Sequence, residues 1–214
     1  MSCSLKPNTK SSSCSTGVPD LATLDSYESV VAHYTVHQAP IHEAELEKIS
    51  DNTNSLEELI YNAATAKCKD TKRHPHQRRL KKKDLEEAAK RLQKVVSEIG
   101  FAKDFEGIYQ IFKRDISSIK GIGELTAYDT ALRISHIHGC LPERVYLHAG
   151  ALKGAKHIET AGHLRKGVSS KDGILDVDDF PSAFRKLKGY QLENCLCIYK
   201  DVLKRISLKK KAST

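Results

Sequence analysis

The chain has 214 residues, 39% of them apolar, and a formal net charge of +8 at pH 7. That length is enough for one sizeable helical core, and no window approaches the ~18 consecutive apolar residues of a membrane span. The charge is unevenly placed: residues 1–60 hold 3 Lys and Arg against 9 Asp and Glu, residues 61–120 hold 16 against 8, and residues 121–214 hold 16 against 10.

Residues 1–20 are rich in Ser and Thr with little to bury, which predicts a disordered N-terminal arm. In residues 21–50, Tyr27, Val30, Val31, Tyr34 and Val36 fit a short helix or a strand that Pro40 ends, with the acidic IHEAELEKI after it. From Leu56 the pattern is helical: Leu56, Leu59, Ile60, Ala63 and Ala64 share a face that continues through Ala66 to Cys68. Ser55 is placed to cap that helix, with Glu58 as its box partner.

The next run, KCKDTKRHPHQRRLKKKDLEEAAKRLQKVVSEIG, divides into a basic loop containing Pro75 and a helix that Gly100 ends. After Lys83, the residues Leu85, Ala88, Ala89, Leu92, Val95, Val96 and Ile99 recur at helical spacing, so this half packs on the core. Lys72, Arg73, Arg78, Arg79, Lys81, Lys82 and Lys83 form a cluster that reads either as a solvated linker or as an arm neutralising a phosphate backbone. No aromatic residue is interleaved with these charges, which argues against base stacking there.

ISSIKGIGELTAYDTALRI (116–134) has the layout of a helix-hairpin-helix. Ile108, Ile111, Phe112, Ile116 and Ile119 supply the inner face of the first helix, and Leu125, Tyr128, Ala131, Leu132 and Ile134 that of the second. Ala127 and Ala131 allow close approach. Gly139 is placed to end the second helix, and Pro142 to open the next. Between the halves, Gly121 and Gly123 free the backbone and leave N–H groups facing outward at a helix start, an arrangement that suits a phosphate. Lys120, Gly121, Ile122 and Gly123 are therefore the candidate contacts, with Arg78, Arg79, Lys81, Lys82 and Lys83 in support. The same glycines also fit an ordinary helix–helix turn, and Glu124 would crowd a phosphate unless it points away.

IKGIGELTAYDTALRI resembles the hairpin of the helix-hairpin-helix DNA glycosylase superfamily, whose members show a turn like LPGVGxxTA before an apolar helix. VYLHAG (145–150) is similar to the VFLPDD of the alkyl-purine branch. The resemblance covers roughly residues 105–157 and implies the fold and a phosphate contact on DNA. In that family the reacting segment carries a catalytic Asp, but Ala149 and Gly150 stand in its place here. Bifunctional members carry a nucleophilic Lys within GVGxKTA, and Leu125 holds that position. Glycosidic cleavage needs such a carboxylate or amine, and an aliphatic side chain supplies neither.

Other residues that could carry chemistry are His148 with Tyr146, Lys153 and His157, and Asp176 within an acidic group with Asp178 and Asp179. Packing and capping roles fit all of them too, with Asp179 a natural helix cap before Pro181. Gly150 and Gly154 suit close helix packing. The pair His33 and His37, and the run His136, His138 and Cys140, do not complete a four-ligand zinc set, so no metal and no cofactor is expected. Leu192, Leu196, Tyr199, Val202, Leu203 and Ile206 suggest a core helix, with Cys195 as a buried small side chain on it.

The sequence thus predicts a mainly α-helical compact domain over 21–207 containing one helix-hairpin-helix at about 108–138, with a basic tail at 208–214. The expected activity is non-sequence-specific binding to a DNA backbone. The alternatives are a diverged base-excision enzyme and a helical adaptor that binds a protein partner through a purely structural hairpin. The opening MSCSLKPNTKSSSCSTG has no apolar h-region, and the six cysteines lack CxxC spacing. Reduced thiols and a cytoplasmic or nucleoid-associated location are the corresponding expectations.

Overall fold

The computed structural model describes residues 20–50, 53–66, 77, 79–167 and 173–212. The expected arm at 1–20 falls almost wholly outside these residues, as do Arg78, Lys72 and Arg73 from the basic cluster. The described chain is mainly α-helical with almost no strand. In chain order it forms α1 (Tyr27–His37), α2 (Ala39–Ser50), α3 (Leu56–Thr65), α4 (Lys82–Gln93) and α5 (Val96–Phe101). Then come α6 (Phe105–Ile116), α7 (Glu124–His138), α8 (Ala149–Thr160), α9 (Gly189–Ile198) and α10 (Lys200–Ala212). Val145–Tyr146 (β1) and Ile174–Leu175 (β2) pair antiparallel, with Val145 opposite Leu175. Short 3₁₀ turns span Leu21–Thr23, Val177–Asp179 and Ser182–Lys186.

Local chemistry sets the helix ends. Ser26 accepts the Ser29 N–H at the start of α1, Ser55 that of Glu58 at α3, and Asp104 that of Gly107 at α6. The predicted box at α3 is only half formed, because the Glu58 carboxylate takes the Asn54 N–H instead of that of Ser55. Gly139 closes α7 at φ +69°, and the Cys140 N–H reaches back to the Ser135 carbonyl at 3.0 Å, a Schellman arrangement.

Apolar side chains sort into two clusters. One gathers α3, α4, α6 and α7 with Leu46, Ile49, Tyr146 and Tyr190. The other gathers α1, α8, α9 and α10 with Leu164, Phe180 and Phe184. The helices of the second cluster approach closely because α8 carries glycines: a Cβ at Gly154 would stand 2.5 Å from the Leu196 carbonyl oxygen.

Several boundaries differ from the sequence expectation. Residues 27–50 are two helices, and Pro40 sits in the first turn of α2, where its missing N–H costs nothing. The helix expected to run from Lys83 to Gly100 breaks at Lys94–Val95, although Leu85, Leu92 and Ile99 all reach the core. Apolar spacing reports the buried face and carries straight through such a break. Pro142 opens no helix and lies ahead of β1. The C-terminal core helix is also two, interrupted at Tyr199, and its six expected apolar residues are all buried. Residues 208–212, expected as a tail, continue α10.

Candidate nucleic-acid interface

The hairpin turn is built from the core outward. The Ile119 N–H bonds the Ile116 carbonyl, and the Ile122 N–H bonds the Ile119 carbonyl, both at 3.0 Å. Gly121 at φ +89° is the third residue of this second turn, the position where a type II turn demands positive φ. Ile119 and Ile122 are buried in the first cluster. Burying such a side chain contributes roughly 1.5–3 kcal/mol against about 1 for a turn hydrogen bond. The two isoleucines therefore anchor the turn and leave Lys120 and Gly121 exposed between them.

Gly123 is the N-cap of α7, at φ −101° and ψ 177°, and no side chain caps it. Among the described residues, the N–H groups of Gly123, Glu124 and Leu125 find no acceptor. The Glu124 carboxylate is held away along α6 by Lys113, with Nζ to Oε1 at 2.5 Å. Lys113 holds the Glu124 carboxyl below the usual carboxylate range.

Beside the turn lies a groove of about 380 Å³ lined by Arg79, Leu80, Lys81, Lys83, Asp84, Lys120 and Gly121. Three of the expected cluster residues, Arg79, Lys81 and Lys83, thus meet Lys120 and Gly121 at one place. Lys81 is also the N-cap of α4 and offers no side-chain cap, so a second helix start borders the groove. The delivery of this segment has a buried cause. Arg133, 3% exposed, donates to the Ala63 carbonyl at 2.9 Å and to Gln77 Oε1 at 3.0 Å, and the Leu80 N–H bonds the Gln77 carbonyl. The chain leading into Arg79 is pinned to α3 and α7 by these bonds.

Not every expected contact is there. Lys82 pairs with Glu86 at 3.5 Å on the same helix and does not line the groove. Ile122 has its side chain in the core and its N–H engaged by Ile119, so it supports the turn and has no donor for a phosphate. Arg78 lies outside the described residues. Sequence reasoning missed Asp84, whose Oδ2 stands 3.8 Å from where a Gly121 Cβ would be, and it missed Arg133 and Lys113. The signal for Lys113 was available: antiparallel helices joined by a short turn bring the last turn of one beside the first turn of the next.

Of the residues expected to line a catalytic cleft, Tyr146 is buried, His148 and His157 are half-buried, and Lys153 is exposed on α8. Tyr146 is 3% exposed, donates its hydroxyl to Glu106, and is ringed by Phe105, Tyr109 and Tyr128 at centroid distances of 5.1, 5.4 and 5.3 Å. His148 is the N-cap of α8 and its ring lies 4.9 Å from that of Tyr128. Burial pushes its imidazole pKa down, against the pull of Glu124 and Asp129. Of the two positions where the glycosylase resemblance looks for a carboxylate, Ala149 carries only a methyl and Gly150 packs against Cys197 Sγ. Asp176 is bonded to Arg144 at 3.0 Å, and its N–H is taken by Asp179. It lines a different groove, of about 680 Å³, with Asp178, Arg144, Arg185 and Gly189.

The comparisons with known proteins add nothing to this geometry. No family model, curated protein or solved structure matches the chain. Among the described residues no group of three or more His, Cys, Asp or Glu stands ready to hold a metal, and His33, 4.6 Å from His37 by ring centroid, bonds the Tyr199 hydroxyl at 2.6 Å. Cys140, Cys195 and Cys197 are free thiols.

Proposed function

We propose that this protein binds nucleic acid by its sugar–phosphate backbone, without reading sequence, at the groove between the start of α4 and the hairpin turn. The observation that carries the reading is the convergence of Arg79, Lys81, Lys83 and Lys120 on Gly121, because cations up to 41 positions apart meet there and none of the four forms an ion pair among the described residues. Exposed cations close to the open N–H groups of α7 favour an anion, both through charge and through the helix dipole. Asp84 opposes one charge and leaves the groove net positive. The lining has no aromatic side chain, which favours the backbone over stacked bases as the thing held.

Base excision gains no support from the same geometry. Neither Ala149 nor Gly150 carries the family's carboxylate, and Tyr146 is enclosed by other rings. Duplex DNA is the proposed ligand, and the test is binding of the full chain to a short labelled duplex across a salt series. If all four cations meet phosphates, log K falls against log salt with a slope of about −3.6, or about 150-fold between 50 and 200 mM. A Lys81→Glu, Lys120→Glu variant with the wild-type circular dichroism spectrum binds more weakly and with a shallower salt slope. Absence of wild-type binding at low salt would leave the hairpin structural and favour the adaptor reading.

A further inference from the structure

The first helix of the hairpin carries a residue that governs the second. Glu124 is the first residue of α7, directly after the Gly123 N-cap, so its carboxylate has the open N–H groups of that helix start within its own reach. A carboxylate there is attracted by the helix dipole and by the same donors that a phosphate would use. It is an internal competitor for the site. In the structure it is held elsewhere: Lys113, in the last turn of α6, takes Oε1 at 2.5 Å. The Lys113 ammonium also lies 6.0 Å from the Tyr109 ring centroid, so cation, ring and carboxylate form one clamp on the flank of α6.

We infer that Lys113 is a positioning residue for backbone binding: it keeps the Glu124 carboxylate on α6 and so leaves the α7 donors open to a phosphate. The inference rests on the proposed backbone-binding function. Both side chains are about half exposed, 46% and 52%, so the pair contributes little to folding stability. Its consequence is the location of one negative charge. Lys113 does not line the cationic groove, which separates it from the residues proposed to touch phosphate directly.

The experiment is a double-variant cycle on the full chain, read as affinity for the labelled duplex and as its salt slope. Lys113→Ala lowers affinity about two- to fivefold, the range for one charge at a helix end. Glu124→Gln, which keeps the shape and removes the charge, binds at least as well as wild type. The pair Lys113→Ala, Glu124→Gln binds like Glu124→Gln alone, with the salt slope unchanged between them. Loss of the same factor in both backgrounds, with the slope shallower by about 0.9, would make Lys113 a direct phosphate contact and overturn the inference. No effect of Lys113→Ala on a wild type that binds would overturn it too. Failure of the wild type to bind at low salt would be seen before any variant is compared, and would remove the backbone-binding reading itself.

Discussion

The groove beside the hairpin turn encloses about 380 Å³ and presents four cations that no described carboxylate pairs, whereas the groove under Gly189 encloses about 680 Å³ and has both of its arginines tied to aspartates. Volume alone would rank the second groove first. Charge left unneutralised ranks the first, because a polyanion gains nothing from an arginine whose carboxylate partner it must displace. The two glycines differ in the same way. Gly121 faces open space with only Asp84 Oδ2 at 3.8 Å, and is needed for its φ of +89°. Gly189 has an ordinary backbone, but a Cβ there would run into the carbonyl oxygens of Glu143 and Arg144. One glycine shapes an exposed turn, and the other lets α9 pack on the strand that precedes α8.

The largest effect expected from breaking this contrast is at Gly189. Gly189→Ala forces backbone against backbone and costs about 1–3 kcal/mol or more, measured as a fall in the midpoint of urea unfolding. Charge reversal comes next. Lys81→Glu with Lys120→Glu removes two of four proposed contacts and shallows the salt slope by about 1.8, while Arg144→Glu with Arg185→Glu leaves the slope unchanged. Equal losses from the two pairs would mean that net charge, not the groove, sets binding. Gly121→Ala costs about 1–2 kcal/mol of stability from its positive φ, and the variant's thermal midpoint checks this.

The smallest change serves as a control away from both grooves. Glu193 is 8% exposed beside Asp129, and burial with that neighbour pushes its carboxyl well above the usual range. A raised folded pKa means that the folded state holds a proton that the unfolded state releases. This contribution is therefore full below the unfolded pKa and is lost as pH rises from there through the folded value. Glu193→Gln keeps a neutral group at all pH, so its thermal midpoint gains on wild type at pH 7 relative to pH 4. A parallel pH dependence in both proteins would show that Glu193 is ionised in the fold.

The helical class and most of the buried faces were legible in the sequence, since Ile108, Phe112, Ile116, Tyr128 and Ala131 repeat at the helical period and are all buried. Gly139 as a helix end and the Gly154 approach were legible for the same reason: glycine has few other uses at those places. The breaks at Lys94–Val95 and Tyr199 were not, because an apolar stripe runs across a bend without changing period. At the candidate site, Lys120 and Gly121 could be read from the turn itself. That Arg79, Lys81 and Lys83 face this turn while Lys82 does not depends on Arg133 reaching Gln77 and Ala63, contacts across 56 and 70 residues that no local pattern encodes.

The hydrogen bond between His33 and Tyr199 spans 166 residues and fastens α1 to the junction of α9 and α10. During synthesis α1 can meet α2 at once, but its buried face, Val30, Val31 and Tyr34, is completed only when α8, α9 and α10, far downstream, have been made. The α3–α7 cluster has most of its members within residues 46–134 and can condense much earlier. Among the described helices the order of assembly therefore runs from the middle outward, with α1 among the last to be fully covered.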